Sequence, residues 1–156
     1  MLSNEVQKLS DLLITNGLTI SVAESCTGGS LSHALTSIPG ASSYFDCGYI
    51  TYSNQSKVEM LGVDTQTIKT YGAVSEEVAL EMVIGVTTKS HSDVAVSITG
   101  VAGPTGGTPE KPVGMVCFGF SCGGKTSKST QLFSGNRASI VSQSVSYALK
   151  QLSVRF

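Results

Sequence analysis

Along the first sixteen residues Val6, Leu9, Leu12 and Leu13 recur at helical spacing, and Asn16-Gly17 supplies a stop, which predicts an amphipathic helix. The unbroken apolar run "LTISVA" then reads as a buried strand. A turn, "ESCTGG", leads into a helix expected from about Thr27 to Thr36, closed by Ile38-Pro39-Gly40. "YFDCGYITY" predicts a second strand from roughly Tyr44 to Tyr52, and Ser53 or Asn54 can cap a short helix through Leu61. "AVSEEVALEMVIGVTTK" has Ser75 as N-cap, carboxylates in its first turn, and Ala79, Met82, Val83 and Val86 as its apolar face. "DVAVSIT" is a third strand; "VGMVCFGFS" and "TSKSTQLF", split by "CGGK", form an antiparallel hairpin. Asn136 caps a last helix with Val141, Val145, Ala148, Leu149 and Leu152 on one face.

Helices interleave with strands early and a hairpin comes late. That order predicts a three-layer α/β/α sandwich on a mixed, mainly parallel sheet of about five strands. No repeat, low-complexity segment or linker divides the chain, so residues 1–156 read as one domain.

Composition narrows the partners. Apolar residues at 40% and charged residues at 13% suit a packed protein, and a formal net charge of -1 without a basic run gives no footprint for nucleic acid or an anionic membrane. Glu5, Lys8 and Asp11 interrupt the N-terminal segment, so it reads as neither a signal peptide nor a membrane span. Cys26, Cys47, Cys117 and Cys122 make no CxxC pair and no zinc-like spacing, which suits free thiols in a cytoplasmic protein.

In open α/β sheets ligands gather beyond the carboxyl ends of parallel strands. Three polar segments fall there: "ESCTGG", "TYSNQSK" and "TGVAGPTGG". The first lacks the Lys of a P-loop and the spacing of a dinucleotide fingerprint; its glycines and hydroxyls serve either a plain helix cap or an oxyanion site. The second places Lys57 in the first turn of its helix, where the dipole disfavours a cation. A solvated Lys tolerates that position, but burial and a positive helix end would also lower its pKa, as a general base requires. His33, in mid-helix, and His91, in a polar connection, are poorly placed as bases. Ser25 with Lys57 is then the most economical hydrolytic pair, with Cys26 as the competing nucleophile.

"AESCTGG", "YSNQSK" followed by "LGV", "GAVSEEVALEM", "SITGVAGPTGG" and "KPVG" resemble, in sequence and in order, the C-terminal domain of the CinA (competence/damage-inducible) family, from about Val6 to Leu152. The resemblance implies an anticodon-binding-domain-like fold and a Ser-Lys amidohydrolase without metal or organic cofactor. It implies conversion of nicotinamide mononucleotide to nicotinate mononucleotide and ammonia in pyridine nucleotide recycling. It puts the nucleophile on Ser25, the base on Lys57 and a supporting Tyr on Tyr52. Ser42 and Thr99 match polar positions of the family site, and Arg137 a basic position suited to phosphate or to structure. Cys26, Thr27, Gly28, Gly29 and Gly100 complete the expected substrate-binding set. The large N-terminal domain of many members, linked to a pyrophosphatase, has no counterpart here, so that activity is not carried over. A homodimer is expected from helices flanking the sheet. Two other readings stand beside the amidase: a non-catalytic nucleotide-binding or regulatory module, and a Cys26 thiol hydrolase or redox protein. A neutral Lys57 at Ser25 separates the amidase from the first, and the state of the Cys26 thiol separates it from the second.

Overall fold

The computed structural model of the chain describes residues 2–156. In chain order the elements are α1 (Leu2–Asn16), β1 (Ile20–Glu24), α2 (Ser30–Thr36), a 3-10 turn (Ala41–Ser43), β2 (Phe45–Ile50), α3 (Asn54–Leu61), α4 (Thr65–Tyr71), α5 (Glu76–Ser90), β3 (Val94–Gly100), β4 (Met115–Cys122), β5 (Lys125–Leu132) and α6 (Arg137–Ser153). The caps follow the side-chain chemistry. Ser53, Ser75 and Asn136 each accept a backbone N–H three residues on, from Ser56, Val78 and Ser139. Gly123 and Gly124, both at positive φ, make the two-residue hairpin between β4 and β5.

The strands lie in the order β2-β1-β3-β4-β5. β1 pairs in parallel with β2 and β3, while β3-β4 and β4-β5 are antiparallel, so β4 alone among the described strands runs against the rest. Alternation along the strands builds two cores. Val22, Val94, Val96, Ile98 and Phe118 face α1, α2 and α6, whereas Ala23 and Ala95 face α3 and α5. The sheet thus lies between two helical layers.

The α5 face uses small residues because that helix sits close. A Cβ on Gly119 of β4 would lie 2.4 Å from the Ala79 carbonyl oxygen, and one on Gly85 would lie 2.1 Å from that of Leu61. Ser97 reaches across the same gap to donate to the Ala79 carbonyl at 2.5 Å.

Three differences from the sequence reading matter below. α2 begins at Ser30, not Thr27, because Gly28 and Gly29 adopt the left-handed region and break the run. α4, capped by Asp64, went unrecognised, since Ile68 is the only aliphatic side chain in "TQTIKTY". On α6, Ile140 joins the core while Val141 is only half-buried. Among the described residues no helix is long and apolar enough to cross a membrane.

Candidate active site

The parallel ladder ends in register: Glu24 of β1 stands beside Ile50 of β2 and Ile98 of β3. One residue further, the Ser25 N–H donates to the Ile98 carbonyl and the Thr51 N–H to the Glu24 carbonyl, both at 2.9 Å. Ser25, Thr51 and Thr99 therefore stand side by side at the carboxyl ends of three adjacent strands, with Ser25 in the middle.

From Thr51 the chain turns at Ser53 into α3, and the first turn of α3 carries Lys57 back over Ser25. Lys57 Nζ lies 2.9 Å from Ser25 Oγ, 2.8 Å from the Thr51 carbonyl and 3.3 Å from the Tyr52 carbonyl. Lys57 is 1% exposed and makes no ion pair among the described residues. Burial without a compensating carboxylate pushes its pKa down to about 8.

Local geometry decides which donors of the turn remain open to a ligand. Among the described residues from Ser25 to His33, Gly28 N–H donates to the Ser25 carbonyl, Ser30 to Thr27 and His33 to Gly29. Gly29, Leu31 and Ser32 N–H all point to the Glu24 carboxylate, at 2.9 to 3.2 Å. The Cys26 and Thr27 N–H groups are left with no backbone or carboxylate acceptor among the described residues, that of Cys26 meeting only its own sulfur. The helix start expected to hold an anion already holds one: the chain's own Glu24, fully buried.

A cavity of about 350 Å³ joins these pieces. Its walls are Ser25 and Cys26, then Tyr52, Asn54 and Lys57, then Ala73 and Val74, with the Thr99–Gly106 loop and Arg137 completing it. Arg137 bridges the mouth: one guanidinium nitrogen donates to the Gly103 carbonyl and the other to the Tyr52 hydroxyl, both at 2.8 Å. A larger groove of about 1020 Å³ between α1, α2 and α6 includes Gly28, Gly29 and His33 but neither Ser25 nor Lys57. The smaller cavity is the one with chemistry.

Several expected residues take other places. Ser42 is exposed on the 3-10 turn before β2, at the amino end of the parallel strands and so across the sheet from Ser25. Gly28 and Gly29 line the larger groove, while Thr99 does line the cavity but uses its hydroxyl to hold the Ala73 carbonyl at 2.9 Å. The Tyr52 hydroxyl meets Arg137, so this residue touches Lys57 through its carbonyl only. Thr27 is buried with its hydroxyl unpaired. The Ala73-Val74 wall comes from the connection after α4; the motif "GAVSEEVALEM" contains both residues, but its capping and apolar pattern point only to α5.

Cys26 also departs from a thiol-hydrolase role. Burial, reinforced by the charge of Glu24, drives its thiol up to about 12, far from a reactive thiolate at neutral pH. Brief treatment with a small alkylating agent at pH 7 is therefore expected to leave catalytic activity above roughly 80%. Rapid inactivation tracking Cys26 modification would reinstate the thiol.

A family model described as CinA C-terminal domain matches residues 3–156. The nicotinamide-nucleotide amidohydrolase PncC of Escherichia coli strain K12 is 43% identical over 161 aligned residues, which take in 100% of this chain and 98% of that one. A CinA-like protein of Chloroherpeton thalassium is 52% identical over 76% of this chain. The chain spans only 26% to 34% of the length of that relative and others like it. Among solved structures, the competence damage-inducible protein A of Klebsiella pneumoniae superposes with a TM-score of 0.95 at 33% identity, over 98% of this chain and 95% of that one.

Proposed function

The chain belongs to the CinA C-terminal domain family, and from that premise we propose that it hydrolyses the carboxamide of nicotinamide mononucleotide, with Ser25 as nucleophile and Lys57 as base. The near-full-length likeness to an amidohydrolase of that name supports the substrate. The observation that carries the mechanism is the Lys57-Ser25 contact of 2.9 Å inside a buried site where Lys57 makes no ion pair among the described residues.

Two carbonyls, Thr51 and Tyr52, occupy two of the directions around Lys57 Nζ, and Ser25 Oγ takes a third. As an ammonium, Lys57 donates in all three. As a neutral amine it keeps two N–H donors for the carbonyls and turns its lone pair to the Ser25 hydroxyl. In that state Ser25 attacks the carboxamide carbon while its proton passes to Lys57. The oxyanion forms beside the open N–H groups of Cys26 and Thr27, each such donor being worth roughly 3 to 4 kcal/mol in comparable sites. Lys57 returns the proton to the departing nitrogen, releasing ammonia. Water, deprotonated by Lys57, then cleaves the acyl-serine to give nicotinate mononucleotide and free Ser25. The chain itself supplies nucleophile, base and oxyanion donors. Four free thiols fit a cytoplasmic setting for this work.

The test is direct. Purified chain given nicotinamide mononucleotide is expected to release one ammonia per nicotinate mononucleotide formed. Tight binding of the mononucleotide without ammonia would leave the non-catalytic reading instead.

Arg137 supports the phosphate end of the proposal. It stands exposed at the mouth with two of its five donors engaged and the others open. Arg137→Ala is expected to lower kcat/KM for the mononucleotide at least about tenfold more than for the riboside, mainly through KM. An equal loss on both substrates would restrict Arg137 to holding Gly103 and Tyr52 in place.

A further inference from the structure

We propose that Glu24 is a positioning residue for the oxyanion site: its buried carboxylate gathers the donors after the turn and so fixes the turn with Cys26 and Thr27 N–H open beside Ser25. This rests on the Ser25-Lys57 reading above.

Glu24 is the last residue of β1 and is 0% exposed, an unusual place for a carboxylate without a cationic partner. Four donors compensate it. Gly29 and Leu31 N–H converge on Oε1 at 3.2 and 2.9 Å, and Ser32 gives Oε2 its N–H at 2.9 Å and its hydroxyl at 2.6 Å. The carboxylate thereby clasps the start of α2 to the end of β1, and residues 25–28 close a loop whose two ends are both fixed. Ser32 reaches it because β2 offers Gly48 there: a Cβ at Gly48 would lie 2.6 Å from Ser32 Oγ.

The clasp has two chemical effects. It satisfies the first donors of α2, so a substrate phosphate has no N–H array to enter there and is left to the Arg137 side of the cavity. It also holds the loop in an arrangement that leaves the Cys26 and Thr27 N–H groups without a backbone or carboxylate acceptor next to Ser25, a conformation that would otherwise relax toward internal bonds. Only a group accepting from every direction does this. A Gln at 24 has the same shape but turns an NH₂ on one pair of donors.

Glu24→Gln is accordingly expected to lower kcat by about tenfold to a hundredfold, since a displaced oxyanion donor acts on turnover. KM for nicotinamide mononucleotide should stay within about twofold, and the pH inflection set by Lys57 should not move. Calorimetric titration with the product, nicotinate mononucleotide, gives the fraction of competent sites, to which kcat is normalised. Val86→Ala, in the α5 core, serves as a destabilised control with kcat per site unchanged. A Glu24→Gln variant with kcat per site within threefold of the parent overturns the inference, as does a loss confined to KM. If Glu24→Gln does not fold, Ser32→Ala is read by the same assay; a threefold to tenfold lower kcat supports the clasp and an unchanged kcat overturns it. Ser25→Ala run in parallel separates the layers. A dead Ser25→Ala with an unimpaired Glu24→Gln removes only the clasp, whereas an active Ser25→Ala removes both it and the Ser-Lys reading.

Discussion

Ser25→Ala, Lys57→Ala and the double variant are expected to fall to one shared floor, each losing on the order of a thousandfold or more in kcat while remaining folded. The expectation follows from the Lys57-Ser25 contact, 2.9 Å long within the buried site. A hydroxyl without its base is a poor nucleophile, and a base without its hydroxyl has nothing to deprotonate, so the second deletion takes away nothing further. The measurement is steady-state ammonia release by all three variants, with circular dichroism as the folding check. A double variant that loses the product of the two single factors would mean that the residues act in separate steps, and the dyad would be wrong.

The pH dependence is the second large effect. In the proposed mechanism the base is the neutral amine, and burial pushes Lys57 down to about 8. kcat/KM for the free enzyme is therefore expected to climb about tenfold per pH unit below that value and level off above it. An inflection at the ordinary lysine value of about 10.4 would contradict the buried-base assignment. Lys57→Arg should be inactive across the range, because guanidinium keeps its proton at every accessible pH. The same shift bears on stability. The folded chain releases this proton near pH 8 and the unfolded chain only near 10.5, so between them the unfolded state binds more protons and stability rises with pH. Below that window both states are protonated and Lys57 adds no slope, but the cost of burying its cation is present in full. Denaturant titrations at pH 7.5 and 10 should show a gain of ~2–3 kcal/mol that is missing in Lys57→Met.

Ser25 and Lys57 were legible in the sequence for a physical reason. Each sits a fixed few residues beyond a strand end, and parallel strands bring their carboxyl ends together whatever else the fold does. The caps at Ser53, Ser75 and Asn136 were legible because capping is local chemistry. Glu24 was not. At the end of an apolar strand a carboxylate reads as the first exposed residue, and its four donors lie five to eight positions on, reached only after two left-handed glycines turn the chain back. Ser42 lies apart from the cavity for the opposite reason: a family position says nothing of the direction in which β2 runs, and that direction puts Ser42 at the far end of the parallel strands. Tyr52 lines the cavity, but the partner of its hydroxyl, Arg137, lies 85 residues away and no periodicity links them.

The side-by-side placing of Ser25, Thr51 and Thr99 turns the backbone of the sheet into a ruler. Neighbouring strands are held about 4.8 Å apart by their hydrogen bonds, so Thr51 and Thr99 stand about 10 Å apart, one on either side of Ser25, whatever side chains surround them. Ser25 and the two flanking threonines keep that spacing even if the outer helices shift or exchange their packing residues. The spacing at the base of the cavity is thus set by backbone pairing, while Lys57, Arg137 and the Gly100–Gly106 loop reach it from outside the parallel ladder. A lineage could remodel the mouth of this cavity extensively without losing the gauge at its base.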